Sequence, residues 1–275
     1  MVDEWGVPRS SFGAPGREER VVDIAVPVHE DGTPAWVELT TPDAETSTRF
    51  YGELFGWSFD GAFGGQPQSQ LAVDRGRPSA VVTTVPGAER GGWTVYVNVA
   101  DADKALEKVV AAGGSVSAEL RTLGSAGRSA VLADHAGTRF GIWEADGHHG
   151  SGVVGEPGAF HGGELITDDV EASAAFYAQV FSWNLGKPYG PLGRRDWRLG
   201  GRTVSVLLPR PPAMSAEIPP YWDVYFTVGD AERAVEAAVR LGATVLMPST
   251  GIEHGTIAVL SDPTGAVFTV VAASH

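Results

Sequence analysis

The chain is written twice. FYGELFGW at residues 50–57 returns as FYAQVFSW at 176–183, an offset of 126. WTVYVNVADADKALEKVVAAGGSV at 93–116 returns as WDVYFTVGDAERAVEAAVRLGATV at 222–245, an offset of 129 with 11 of 24 positions identical. AVLADHAGTRFGIWEA at 130–145 returns as AVLSDPTGAVFTVVAA at 258–273, an offset of 128 with 7 of 16 identical. Three landmarks in one order at nearly one offset make a duplicated domain. The period exceeds the roughly 20–50 residues of solenoid repeats. The duplication lets the chain be compared with itself, because a residue kept in both copies belongs to the shared scaffold and a residue found in one marks divergence.

The 275 residues suffice for two domains, each with its own core. A net charge of −14 without a basic run argues against a nucleic-acid partner. No stretch approaches the roughly 20 apolar residues of a membrane span, and the polar start MVDEWGVPRSSFGAPGREER lacks a signal-peptide core. The absence of cysteine removes disulfides, thiolate nucleophiles and sulfur metal sites. The expectation is a cytoplasmic protein, monomer or homodimer, with a small-molecule ligand and no membrane partner.

Residues 1–29 have no counterpart in the second copy and read as an N-terminal arm, with a short apolar run at 21–28. The first domain is expected at 30–146, a Gly-rich linker at 147–159 and the second domain at 160–275. Within each copy a strand, a helix and several short strands occur, then recur. Trp36 to Thr41 alternates and ends at Pro42-Asp43, a helix N-cap signal. Phe50, Tyr51, Leu54 and Phe55 then share one helical stripe, closed by Gly56. Trp93 to Val99 is a second alternating strand, and Asp101 opens a second helix. The chain therefore holds four βαβββ modules in an α+β arrangement.

A strand, an acidic N-cap, a helix ending FYxxxFxW and a later DxxGxxF turn resemble the vicinal oxygen chelate superfamily, which includes glyoxalase I, fosfomycin and bleomycin resistance proteins and extradiol dioxygenases. The tandem form beginning PAWVELTTPD resembles two-domain actinobacterial glyoxalase-like proteins. The resemblance covers about residues 33–273 and implies paired modules whose mixed sheets curl into two cups with helices outside. In metal-dependent relatives His, Gln or Glu project into the cup from the first and last strands of each module. Here those first-strand positions hold Trp36, Thr94, Gly162 and Asp223. The last-strand positions hold Gly141 and Thr269, with the other two near Val82 or Thr83 and near Ser205 or Val206. Asp223 alone is a plausible ligand, so the sequence departs from the family's metal chemistry, and no metal and no cofactor are expected.

Alternation along the strands places Trp36, Glu38 and Thr40, then Thr94, Tyr96 and Asn98, on the cup linings, whether the first module pairs with the second or with the fourth. Gly162, Glu164 and Ile166, then Asp223, Tyr225 and Thr227, line the cups in the same way. Glu38 matches Glu164 and Tyr96 matches Tyr225, making these four the candidate catalytic groups. A carboxylate among aromatic rings is costly to bury unpaired and is tuned toward proton transfer. Each Glu equally suits a structural role, holding a tyrosine hydroxyl. Trp36, Thr94, Asn98, His161, Asp223 and Thr227 are the candidate ligand-binding residues. Trp36 either stacks on a planar ligand or plugs a cavity. His161 lies one residue from a ligand position, and the other histidines fall in loops, His148 and His149 in the linker.

The expected function is a glyoxalase-like protein without the usual metal site. It binds a small aromatic or carbonyl-bearing metabolite, for cofactor-free proton transfer or for sequestration as in resistance proteins. Two alternatives stand beside it: a metal-dependent lyase with displaced ligands Glu38, Glu164, His161 and Asp223, and a non-catalytic interaction protein. Elemental analysis of gently purified protein should find no stoichiometric transition metal. About one Zn, Ni or Fe per chain would favour the lyase.

Overall fold

The computed structural model describes residues 30–252 and 255–273. The apolar run 21–28, His29, His254 and His275 lie outside the described residues. The first copy contains β1 (Pro34–Thr41), α1 (Ala44–Phe55), β2 (Ser58–Asp60), β3 (Ser69–Asp74), β4 (Arg77–Thr84) and β5 (Gly92–Asn98). It continues with α2 (Ala102–Ala111), β6 (Ser115–Leu123), β7 (Gly127–Ala133) and β8 (Arg139–Ala145). The second copy repeats the order with β9 (Phe160–Thr167), α3 (Val170–Phe181), β10 (Asn184–Leu185), β11 (Arg195–Leu199), β12 (Arg202–Pro209) and β13 (Tyr221–Thr227). It closes with α4 (Ala231–Arg240), β14 (Thr244–Ile252), β15 (Gly255–Ser261) and β16 (Val267–Ala273).

Local chemistry sets the helix starts. Asp43, Asp101, Asp169 and Asp230 are extended, and each side chain accepts the amide three residues on. One orphan N–H of each helix is thereby satisfied. Gly56 ends α1 in the left-handed region, and Ser182 takes that conformation after α3 at φ 61°.

Each copy is one open eight-stranded mixed sheet, in the orders β2-β3-β4-β1-β5-β8-β7-β6 and β10-β11-β12-β9-β13-β16-β15-β14. β1 runs antiparallel to β5, and β9 to β13. The first module therefore joins the second and the third joins the fourth.

The helix-bearing faces of the two sheets meet in one shared core. α1 packs its Phe50 and Phe55 on Phe268 and Phe226 of the second copy. α3 packs Phe176 and Phe181 on Phe140 of the first. Two reciprocal hydrogen-bond chains cross this core. Trp93 Nε1 donates to Tyr51 Oη at 3.0 Å, and Tyr51 donates to Asp262 Oδ2 at 3.0 Å. Trp222 Nε1 donates to Tyr177 Oη at 2.9 Å, and Tyr177 donates to Asp134 Oδ2 at 3.2 Å. The other oxygen of each aspartate holds its own turn, Asp134 by the amides of Ala136 and Thr138, and Asp262 by those of Thr264 and Ala266. The tyrosine of FYxxxFxW and the aspartate of DxxGxxF are thus partners across the two copies. Trp57 and Trp183 extend the pattern by donating to the carbonyls of Gly158 and Gly32. Among the described residues, no helix is long and apolar enough to cross a membrane.

Replacing either tyrosine by phenylalanine leaves a buried aspartate oxygen and an indole N–H, buried in Trp222 and half-buried in Trp93, without their partner. Y51F and Y177F should each lower the unfolding free energy by about 1–3 kcal/mol, with the slope of a urea titration unchanged. A wild-type midpoint in both variants would show that the chains carry no net stability.

Candidate functional site

The face of each sheet turned away from the shared core carries the candidate side chains. Antiparallel pairing sets Trp36 opposite Tyr96 and Glu38 opposite Thr94 in the first sheet. It sets Gly162 opposite Tyr225 and Glu164 opposite Asp223 in the second. Parallel pairing adds Gly141 beside Tyr96 and Thr269 beside Tyr225.

The first cup is filled by its own side chains. Trp36, Tyr96 and Trp143 are all at most 2% exposed and pack with Phe63, Val81 and Leu123. The Trp36 ring lies 5.2 Å from Tyr96 and 5.0 Å from Trp143. A Cβ on Gly141 would fall 2.2 Å from the Tyr96 ring, so no side chain fits at that position. Glu38 accepts the hydroxyls of Tyr96 and of Thr83, the latter at 2.6 Å, and Ser69 lies 2.9 Å behind Thr83. Burial, followed by the charge and hydrogen bond of Glu38, pushes the Tyr96 phenol well above its usual range. His148 closes the mouth. Its ring stands 4.9 Å from Trp36, its carbonyl accepts Trp143 Nε1 at 2.8 Å, and burial then His149 push its pKa down to about 4.

The second cup is built differently. Trp36 is replaced by Gly162, and Trp143 by Val271, since Asn98 pairs with Trp143 as Thr227 pairs with Val271. Val206, the partner of Glu164, is half-buried, whereas its counterpart Val81 is 1% exposed. The register also aligns Ser69 with Arg194 and Thr83 with Leu208. The hydroxyl pair that serves Glu38 has become an arginine and a leucine. Arg194 grips Glu164 through Nε at 2.7 Å and Nη2 at 3.3 Å, and Tyr225 donates to the same carboxylate at 2.6 Å.

Asp223 has no such cation in contact. It is 3% exposed, and its Oδ2 accepts Thr269 Oγ1 at 2.6 Å. Its Oδ1 has no donor among the described residues. Burial raises its pKa to about 7; Thr269 opposes this, and the negative charge of Glu164 adds to it. Tyr221 and Tyr225 are raised too, chiefly by burial and then by Asp223 and Glu164, so both remain neutral phenols. Two facing carboxyl groups with unlike surroundings are a recurrent basis for acid–base work.

Glu38 and Tyr96 thus meet in one cup, and Glu164, Tyr225 and Asp223 in the other. Trp36 is a plug. Thr94 is buried in the first cup. Asn98 borders an open hollow of about 330 Å³ with Glu144 and His149, outside the cup floor. A matching hollow of about 340 Å³ beside Asp230 and Ala273 is likewise remote from both floors. Pairing of Phe160 with Phe226 and of Gly162 with Tyr225 leaves His161 as the extra residue of a bulge. The bulge turns His161 to the cup side, with Nδ1 3.2 Å from Thr227 Oγ1. Of the alternative last-strand positions, Thr83 and Val206 line the cups; Ser205 faces away and donates to Gly163 O. His148, read from sequence as a linker residue, instead packs into the first cup.

Arg194 and Tyr221 were missed. The signal was the Arg194-Arg195 pair opening a strand. The β3 and β11 segments align at an offset of 125, between helices offset by 126 and strands offset by 129, so the repeat is out of step there.

The glyoxalase-like domain family matches the chain twice, over residues 36–143 and 164–271. The chain belongs to this family. It is a tandem member within the vicinal oxygen chelate superfamily. CFP32 of Mycobacterium tuberculosis, a glyoxylase by name, is 34% identical over 88% of this chain and 95% of its own length. The anthracycline biosynthesis protein DauV of a Streptomyces species is 32% identical over 87% and 93%. A Mn(II)-bound glyoxalase from Novosphingobium aromaticivorans superposes with a TM-score of 0.62 at 15% identity, covering 88% of this chain and 82% of that one. The dioxygenase LapB from Pseudomonas sp. KL28 also gives 0.62, at 14% identity over 88% and 92%. At these identities the two structures share the fold alone.

The residues at the family's ligand positions do not fit a divalent ion. Trp36, Thr83, Thr94 and Gly141 occupy them in the first glyoxalase-like cup, and Gly162, Val206, Asp223 and Thr269 in the second. A protein-held transition metal needs about three donors of suitable type, and each cup offers at most one carboxylate at these positions. No group of three His, Cys, Asp or Glu is placed to hold an ion among the described residues. Of the displaced set, Glu38 is on one sheet, and Glu164, His161 and Asp223 are on the other.

The carboxylates should respond unequally to neutralisation. Gln in place of Glu38 keeps an acceptor for a hydroxyl, and E38Q should cost about 1 kcal/mol. E164Q strands a largely buried guanidinium and should cost more, about 2–3 kcal/mol. Equal losses in urea titrations would contradict the assigned role of Arg194. Asp223 gives a pH signature. Its pKa is about 7 in the fold against 3.8 in the open chain. Stability from its protonated form is therefore full below about pH 4 and is lost as pH rises to about 7. Wild-type melting temperature should fall relative to D223N across that window, and parallel profiles would refute the shift.

Proposed function

We propose that the second cup binds a planar, carbonyl-bearing aromatic metabolite and that Asp223 exchanges a proton with it without metal or cofactor. The observation that carries this reading is a buried carboxyl with one oxygen free of donors, set cross-strand from a Glu164–Arg194 pair. Asp223 Oδ1 takes the proton of a C–H beside the ligand carbonyl. The C–H electrons form the new C=C bond, and the carbonyl π pair moves onto oxygen. The guanidinium of Arg194, whose Nη1 makes no bond to Glu164, stabilises that oxyanion. Return of the proton to the same carbon completes an exchange, and its delivery to the oxygen instead completes a keto–enol tautomerisation. A base with a pKa of about 7 suits such a transfer near neutral pH.

The name of DauV as an anthracycline biosynthesis protein supports a polycyclic aromatic ligand. Half-buried Tyr221, Tyr225 and Val206 offer ring and aliphatic surface to one. Sequestration would use the same contacts without turnover.

Fluorescence-quenching titration with an anthracycline aglycone is the test. About one equivalent per chain is expected, with D223A and R194M each weakening binding tenfold or more. Two equivalent sites, or full affinity in D223A, would overturn the assignment. Deuterium uptake beside the ligand carbonyl in D2O separates proton transfer from binding alone.

A further inference from the structure

Asp223 and Thr269 are a pair that the first copy lacks. Its equivalents are Thr94, opposite Glu38, and Gly141, beside Tyr96. A side chain at Gly141 would strike the Tyr96 ring. In the second copy Tyr225 is half-buried and reaches Glu164, and Thr269 occupies the floor, fully buried. β-Branching restricts the χ1 of threonine. The Thr269 hydroxyl thereby has a fixed direction, toward Asp223 Oδ2 at 2.6 Å.

We infer that Thr269 is a positioning residue, holding Asp223 Oδ2 so that Oδ1, the oxygen without a donor among the described residues, yields or takes the proton. This rests on the reading of Asp223 as the proton-exchanging group. A donated hydrogen bond favours the carboxylate form, and Thr269 opposes the effect of burial. Without the hydroxyl the carboxylate loses the side-chain donor that favours it, and the carboxyl keeps its proton to higher pH. Glu164 and Arg194 are the charged groups facing it from neighbouring strands, and Tyr221 and Tyr225 face it as neutral phenols.

The experiment follows the 13C carboxyl resonance of Asp223, identified by its loss in D223N, through a pH titration of ligand-free protein. T269V keeps the shape of the side chain and should raise the midpoint by about one unit or more, a tenfold or greater gain in proton affinity. T269A should do the same, and T269S should restore the wild-type value. A midpoint common to wild type, T269V and T269A overturns the role of Thr269, whatever that midpoint is. A wild-type midpoint in the ordinary carboxylate range, with the variants still displaced upward, instead overturns Asp223 as the base and leaves the role of Thr269 standing.

Discussion

The direct antiparallel pairing of β9 with β13 is the constraint on which the second site depends. It sets Glu164 and Asp223 opposite each other on one strand pair. Cβ atoms of opposed residues stand about 5 Å apart, too close for two carboxylates in a buried place without compensation. Arg194 compensates one of them, and Thr269 supplies a single hydrogen bond to the other. The asymmetry between a paired and an unpaired acid follows from this register and from two side chains on flanking strands.

The same pairing in the first copy produces a structural result. Thr94 stands where the second acid would be, hydroxyls replace the cation, and two tryptophans fill the opening. The residual Glu38–Tyr96 bond then acts as a buried, satisfied polar pair inside an aromatic plug. One scaffold thus carries a cup packed by its own aromatic side chains and a cup whose lining residues Tyr221, Tyr225 and Val206 stay half-buried. The shared aromatic core behind both, tied by the reciprocal tyrosine–aspartate chains, gives the two cups a common back.

Much of the fold was legible because it rests on short-range physics. The aspartate N-caps, the FYxxxFxW stripe and the alternating strands each announce their element locally, and duplication doubles every signal. The matched Glu–Tyr pairs were legible for the same reason, being period-two positions on recognisable strands. The remainder needed three dimensions. Nothing local says that Arg194, at a strand entry after a loop of altered length, reaches Glu164. Nor does sequence show that a one-residue bulge turns His161 toward Thr227, or that a Gly-rich linker tucks His148 against Trp36. The partnerships of Tyr51 with Asp262 and of Tyr177 with Asp134 span 211 and 43 residues and appear only when the copies pack back to back.

Diffraction from crystals grown with an anthracycline aglycone tests most directly whether the second cup alone is the site. Density for one ligand in that cup, with an oxygen in hydrogen-bond reach of Arg194 and the ring system over Asp223, is the predicted result. Ligand density in the first cup beside a displaced Trp36, or in the hollow at Asn98, with Asp223 still covered, would contradict it.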